Sequence, residues 1–235
     1  MCYRHNGHDV LLGGAGADTL DGGAGDDVFV DGAGNDFVTG GAGNDSFMTS
    51  AGNDAYAGGE GFDTLSFAGG LDGGMFIDMS TGVARAFGSG IGNGTGTDSF
   101  SGVEAIVGSR GGDRINGDAG NNRIDGSYGA DLIVGGAGSD TLTGGSYDSD
   151  IFMYRMSDVA NGEIDTITDF EYGDLVEVSA IVDGRDGSQV LSLQDDGYST
   201  TLYADINGQS VGIVVFQGYS GHTLEEMIND YMLVF

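Results

Sequence analysis

Along the first 66 residues the apolar side chains come in clusters of no more than three, and one apolar or aromatic position recurs every nine residues: Leu11, Leu20, Phe29, Val38, Phe47, Tyr56 and Leu65. Two residues ahead of each stands an aspartate: Asp9, Asp18, Asp27, Asp36, Asp45, Asp54 and Asp63. A glycine-rich phrase fills the interval, as in GGAGADTLD and GGAGDDVFV. With the aspartate numbered position six, position eight is apolar or aromatic every time. A fixed period held over this many units predicts a stack of repeats. Position eight is flanked by outward-facing positions seven and nine, which predicts a three-residue strand with one inward side chain per repeat. The glycine phrase must then reverse the chain, and glycine accepts the positive φ such a turn requires. Two nine-residue units make one coil, so residues eighteen apart stack. Asp18, Asp36 and Asp54 form one column, and Asp9, Asp27, Asp45 and Asp63 the opposite one.

A second block keeps the period. Its position-six residues are Asp113, Asn122, Asp131 and Asp140, with Ile115, Ile124, Ile133 and Leu142 at position eight. The next repeat, GGSYDSDIF, is one residue longer and carries Asp150 and Phe152 one place late. Between Phe67 and Val107 the phrase disappears, although MFIDMS and VEAIVGS still read as strands that continue the core. Beyond Phe152, EIDTITDFEYGDLVEVS, VLSLQDD and VGIVVF read as strands with turns, and TLEEMINDYM as a short helix with Thr223 as N-cap and Glu226 three residues on. The chain therefore divides into 1–66 (first block), 67–107 (coils without the phrase that join the blocks), 108–153 (second block) and 154–235 (a β-rich cap). The expected fold class is all-β.

Composition sharpens this reading. Seven arginines and no lysine face 30 Asp and 7 Glu, for a formal net charge of -30. The bias to the shorter acid places carboxylates close to the backbone, as turns and hard-cation sites require. There are 48 glycines and no proline, which excludes collagen and Pro-rich linkers. A 39% hydrophobic content, regularly placed, argues against disorder. The negative charge argues against nucleic acid and anionic membranes as partners and favours cations. Cys2 is the single cysteine, so no internal disulfide forms. MCYRHNGHDVLL lacks the apolar core of a secretory leader, and no apolar run is long enough to span a membrane. Because the repeat starts within the first residues, the chain is expected to be a segment of something longer, or an exported protein whose address lies elsewhere.

Neighbouring coils lie about 4.8 Å apart. Carboxylates stacked at that spacing repel and do not stay ionised unaided. A cation between each pair reverses the sign of that term. Ca²⁺ suits the space, taking about 6–8 oxygens at ~2.3–2.6 Å. Paired aspartates and turn carbonyls supply these oxygens. No histidine or thiolate cluster favours zinc, copper or iron. His5, His8 and His222 are scattered without an HExxH, and no serine sits in a GxSxG elbow, so no catalysis is expected. Asp165 and Asp169 fit either a further ion site or a hydrogen-bonded turn.

GGAGADTLD, GGAGDDVFV, GGAGNDSFM and GGAGSDTLT resemble the RTX nonapeptide of the hemolysin-type calcium-binding family, over nearly half of the chain. The resemblance implies a parallel β-roll, a right-handed solenoid with calcium between its turns. It implies as ligands the carboxylates of the position-six residues named above, pairing Asp18 with Asp36 and Asp27 with Asp45. It adds the turn carbonyls at Gly14, Gly16, Gly23, Gly25, Gly32, Gly34, Gly41, Gly43, Gly136 and Gly138. IDTITDFEYGDLVEVS resembles the segment that follows the last repeat in this family, and INDYMLVF its acidic-then-apolar ends. The family is exported by type I secretion machinery through an uncleaved C-terminal signal, which implies a secreted or cell-surface location. Departures are Arg4 and His5 in the first turn, Asn122 in place of a carboxylate, and Arg110, Arg114 and Arg123 beside the second block. The leading functional expectation is a non-enzymatic module of a secreted protein that folds on binding calcium outside the cell. One alternative is the accessory part of a larger extracellular protease, lipase or polysaccharide-modifying enzyme with an upstream catalytic domain. Another is an adhesin, or an ice- or glycan-binding surface carrying Asn35, Asn44 and Asn53.

Overall fold

The structure, a computed structural model, describes residues 5–69, 73–87, 96–146, 148–182, 184–185, 187–229 and 233–234. Cys2, Arg4 and residues 230–232 and 235 of the INDYMLVF end lie outside them. Two compact units are present, Met1–Ile115 and Asn116–Phe235.

In the first unit the nonapeptides wind into stacked coils whose strands pair in parallel. On one side Val10–Ala15, Val28–Ala33, Ser46–Met48 and Thr64–Ser66 stack in order, and on the other Thr19–Ala24, Phe37–Ala42 and Ala55–Glu60. The register step is eighteen: Leu11 lies opposite Phe29, Phe29 opposite Phe47, and Val38 opposite Tyr56. Position eight fills the interior. Leu20, Phe29, Val38, Phe47 and Leu65 are at most 1% exposed. The Phe29 and Phe47 rings stack at 5.0 Å, and Tyr56 meets Phe47 edge-on at 5.8 Å. Full burial of each such side chain contributes about 1.5–3 kcal/mol, which sets the core against the entropy of so many glycines.

Several strands are longer than the expected three residues. Pairing runs on into the glycine phrase, with Gly23 opposite Gly41 and Ala24 opposite Ala42. Glycine at position two bends the chain through positive φ and still pairs with its counterpart one coil on.

The segment without the phrase departs from simple coiling. Met75–Asp78 and Val83–Ala86 form an antiparallel pair, and Val83–Ala86 pairs antiparallel with Thr97–Ser101. Thr97–Ser101 then rejoins the parallel stack, with Phe100 opposite Tyr56. Ala105–Val107 does the same on the other side, with Ile106 opposite Leu65. Gly82, at φ 64°, makes the reversal between the two antiparallel strands.

In the second unit Arg123–Asp125, Thr141–Thr143 and Asp165–Ile167 stack in parallel on one side, as do Leu132–Val134, Ile151–Met153 and Leu175–Glu177 on the other. Ile124, Ile133, Leu142, Phe152, Ile167 and Val176 fill the interior. Gln209–Phe216 adds to the Asp165–Ile167 edge in parallel and continues antiparallel through Thr200–Ile206 to Leu191–Asp195. Asn207 and Gly208, both at positive φ, make the two-residue hairpin turn that an Asn-Gly pair favours. The expected short helix is Leu224–Asn229. Its capping box is closed: the Thr223 N–H donates to Glu226 Oε2 at 2.8 Å, and the Glu226 N–H donates to Thr223 Oγ1 at 3.2 Å. Among the described residues no helix is long and apolar enough to cross a membrane.

Candidate metal centre

From Asp27 to Asp63 the turns present the position-six carboxylate in one way. Oδ1 accepts the main-chain N–H of the position-six residue one coil earlier. Asp9 donates to Asp27, Asp18 to Asp36, Asp27 to Asp45, Asp36 to Asp54 and Asp45 to Asp63, all at 2.7–2.8 Å. Oδ2 is left over. In Asp18, Asp27, Asp36, Asp45, Asp54 and Asp63, and in Asp140 and Asp150 of the second unit, it is buried without a hydrogen-bond partner. A buried acceptor left unmade costs the full desolvation of that group, and a row of them in register asks for a cation.

Turn backbone closes in around these oxygens. A Cβ at Gly40 would sit 2.2 Å from Asp45 Oδ2, and one at Gly58 2.4 Å from Asp63 Oδ2. Position one is therefore glycine so that the carboxylate can fold back over the main chain. The carbonyls of successive turns lie against one another along the stack. A Cβ at Gly32 would lie 1.8 Å from the Gly14 carbonyl oxygen, and one at Gly34 1.9 Å from that of Gly16. In the second unit Gly136 and Gly138 face the carbonyls of Asp118 and Gly120 in the same manner. At position one the two kinds of oxygen meet: a Cβ at Gly22 would lie 2.2 Å from Asp27 Oδ2 and 2.8 Å from the Gly40 carbonyl oxygen, and one at Gly40 2.2 Å from Asp45 Oδ2 and 2.6 Å from that of Gly58. That donor set fits Ca²⁺.

Electrostatics agree. In the metal-free chain burial pushes Asp54 and Asp63 up to about 6 from 3.8, and the nearest charges acting on them are further carboxylates. Burial likewise raises Asp36 and Asp45. Asp140 is pushed to about 6 and Asp150 to about 7 for the same reason.

The columns are longer than the phrase. The Asp54 N–H donates to Asp98 Oδ1 at 3.0 Å and the Asp63 N–H to Glu104 Oε2 at 2.9 Å. In the second unit Asp140 donates to Asp165 and Asp150 to Asp174. None of these four acids follows a GGxGx phrase. Asp98, with Phe100, still follows Gly94 and Gly96 at positions two and four; for Glu104 with Ile106, Asp165 with Ile167 and Asp174 with Val176 the signal in the sequence is the triplet acid-x-apolar alone. Asp98 and Asp165 are driven by burial to about 7 and about 8. Asp165 thus stands in a column, whereas Asp169 ties down a turn, accepting from the N–H groups of Gly144 and Gly145.

Other predicted positions are placed differently. Asp9 is half-exposed at the first coil. Asp113 takes three protein donors, the Ser109 N–H on Oδ2 and both the Met75 N–H and the Ser109 hydroxyl on Oδ1. Asn122 closes on its own turn, taking the Asp118 N–H on Oδ1 at 3.0 Å and giving Nδ2 to Asp118 Oδ1 at 3.1 Å. Asp131 keeps the column pattern toward Asp150, donating its N–H at 2.9 Å. Arg110, Arg114 and Arg123 are exposed.

Position five makes a second ladder of opposite sense. Asn35 Oδ1 accepts the Asn53 N–H, Asn44 Oδ1 the Phe62 N–H, and Asn53 Oδ1 the Thr97 N–H, at 2.8–2.9 Å. These amides are structural rungs.

The family described as the RTX calcium-binding nonapeptide repeat matches in four copies, over residues 5–38, 30–65, 98–127 and 125–146. The chain is also similar to the solution structure of the AlgE6R3 subunit of the Azotobacter vinelandii mannuronan C5-epimerase, with 28% identity over 61% of this chain and 71% of that one, at a TM-score of 0.37. A second similar structure is the extracellular lipase LipA from Serratia marcescens, with 17% identity over 97% of this chain, at a TM-score of 0.31. The chain spans only 38% of that lipase. No curated protein matches the sequence.

Proposed function

We propose, from the premise that both blocks carry RTX calcium-binding nonapeptide repeats, that the chain is a calcium-triggered folding module of a secreted protein. The observation that carries this is the row of buried, unpartnered Oδ2 atoms from Asp18 to Asp63. Where calcium is scarce, carboxylate repulsion and glycine entropy oppose the coils, and the chain stays unfolded enough to be exported. Where calcium is abundant, the ions bind between turns and the binding energy becomes folding energy. Position-six carboxylates supply charge, turn carbonyls complete the shell, and the main-chain N–H from the coil before fixes each carboxylate's direction. Position-eight side chains supply the core against which a coil locks once its turns close.

On this reading the module performs no chemistry on a substrate, acts outside the cell, and leaves it through type I secretion machinery using the C-terminal region. The Oδ1 atoms of Asn35, Asn44 and Asn53 each accept an inter-coil main-chain N–H, which leaves less of that rank for an ice- or glycan-reading role.

A calcium titration of the full chain followed by circular dichroism tests the proposal. Strand content should rise with a midpoint near ~10⁻⁴–10⁻³ M, as for extracellular modules, and magnesium should substitute poorly because it demands a smaller octahedral site. Strand content that excess chelator leaves unchanged overturns it.

A further inference from the structure

We propose that Asp31 is a third carboxylate ligand of the cation held between the coils of Asp36 and Asp54, which makes that site chemically distinct within the first block. The proposal deepens the calcium reading above and rests on it.

Position one is glycine at Gly13, Gly22, Gly40 and Gly58. It is threonine at Thr49, whose hydroxyl is committed to the Ser66 carbonyl at 3.2 Å. Only the turn of Asp36 carries an acid there. At Gly40 and Gly58, on the opposite side of the coils, a side chain at position one would lie within 2.4 Å of the position-six Oδ2 of its own turn. Asp31 is 0% exposed, and carboxylate oxygens of Asp31, Asp36 and Asp54 lie within 4.8 Å of one another. The convergence has a second, independent mark. Oδ1 of Asp36 and of Asp54 is taken by the preceding coil, while Oδ2 of each is buried and has no partner.

Asp31 itself is oriented from two sides. Its Oδ1 accepts the Gly32 N–H at 2.7 Å, and its Oδ2 accepts the Tyr56 hydroxyl. Each carboxylate oxygen accepts more than one bond, so both contacts aim the group and leave it able to bind a cation. Three buried carboxylates in mutual reach repel one another, and a cation among them offsets that repulsion. A divalent or trivalent hard cation supplies it, and the number of charged ligands is what tunes affinity in oxygen cages. The phenol of Tyr56, bonded to one of the ligands, stands beside the ion and serves as its optical reporter.

The test uses the full chain, with calcium calorimetry and with terbium(III) emission excited through tyrosine. Asp31→Gly installs the residue that other turns carry at position one, so folding is retained. Asp31→Asn keeps the packing and removes the charge. In both, the tightest calcium-binding class should weaken about tenfold, and the coil-to-strand transition should persist. Tyr56→Phe should keep the calcium stoichiometry but lose the component of terbium emission that Asp31→Gly also loses. A binding isotherm and emission unchanged by both Asp31 substitutions would falsify the assignment and leave Asp31 as a hydrogen-bond acceptor for Tyr56 alone. A wild-type chain that shows no calcium response at all overturns the calcium reading itself, a result the variants cannot mimic.

Discussion

The main-chain N–H of Asp36 donates to Oδ1 of Asp54, eighteen residues on and 2.8 Å away. One bond thereby fixes the direction of one carboxylate and ties two coils together. Because Asp36 also receives such a bond from Asp18, it serves the coils on both sides. Asp36→Ala should therefore raise the calcium midpoint severalfold and broaden the transition, since a central break divides a repeat array. Asp9→Ala should leave both nearly unchanged, because Asp9 joins the next coil through its main chain, its N–H to Asp27 and its carbonyl to the Val28 N–H, and stands half-exposed at the edge. Asp36→Asn keeps an oxygen for the Asp18 N–H. If the charge serves a cation, this variant should still raise the midpoint. Titrations that coincide for all three variants would contradict the stacked-column arrangement.

Acid should partly replace calcium. In the metal-free fold Asp54 and Asp63 lie at about 6, Asp98 and Asp150 at about 7 and Asp165 at about 8, each raised chiefly by burial from 3.8. A carboxyl raised in the folded state holds a proton that the unfolded chain has released. Stability from these groups is thus fully present below about pH 4 and is lost as pH rises through about 6–8. In excess chelator, strand content should grow as pH falls from 8 toward 5. With calcium present the trend reverses, because protons compete for the same oxygens and the calcium midpoint rises on acidification. Circular dichroism at several pH values, with and without chelator, reads both arms. Metal-free strand content that falls on acidification contradicts the argument.

Two glycines with similar backbone angles should differ in what a methyl group costs. Gly14 and Gly32 both sit at positive φ, 97° and 89°. A Cβ at Gly14 meets nothing within 4 Å, while one at Gly32 meets the Gly14 carbonyl oxygen at 1.8 Å. Gly14→Ala should cost about 1–2 kcal/mol of backbone strain. Gly32→Ala forces the coils apart and should cost clearly more, detected as a larger drop in the urea midpoint at saturating calcium.

Asn122→Asp should change metal-free stability and affinity in opposite directions. The native amide donates to Asp118 Oδ1 at 3.1 Å, and a carboxylate there repels instead. The variant should be less stable than wild type in chelator at neutral pH. In calcium it should bind more tightly, because a charged ligand is added to a neutral position. Calorimetry at fixed pH measures the second effect and thermal melting in chelator the first.

The sequence by itself determined the repeat, its phase and its chemistry. A nine-residue period with one inward residue is a local pattern, and stacking at the interstrand spacing follows from it without any long-range information. The Thr223 cap was legible for the same reason: Thr223 and Glu226 are three residues apart and reach each other within one helical turn. Tertiary structure decided which acids join the columns once the full glycine phrase is gone. Asp98 and Glu104 meet Asp54 and Asp63 across 44 and 41 residues, because an antiparallel excursion returns the chain to the stack in register. Only folding also showed that Asp113 and Asn122, though correctly phased, have their side-chain oxygens engaged by other donors, Asp113's by Ser109 and by the distant Met75. Asp31 is the reverse case: in the sequence it is a missing glycine, and in the fold the inward direction of position one places its carboxylate beside two others.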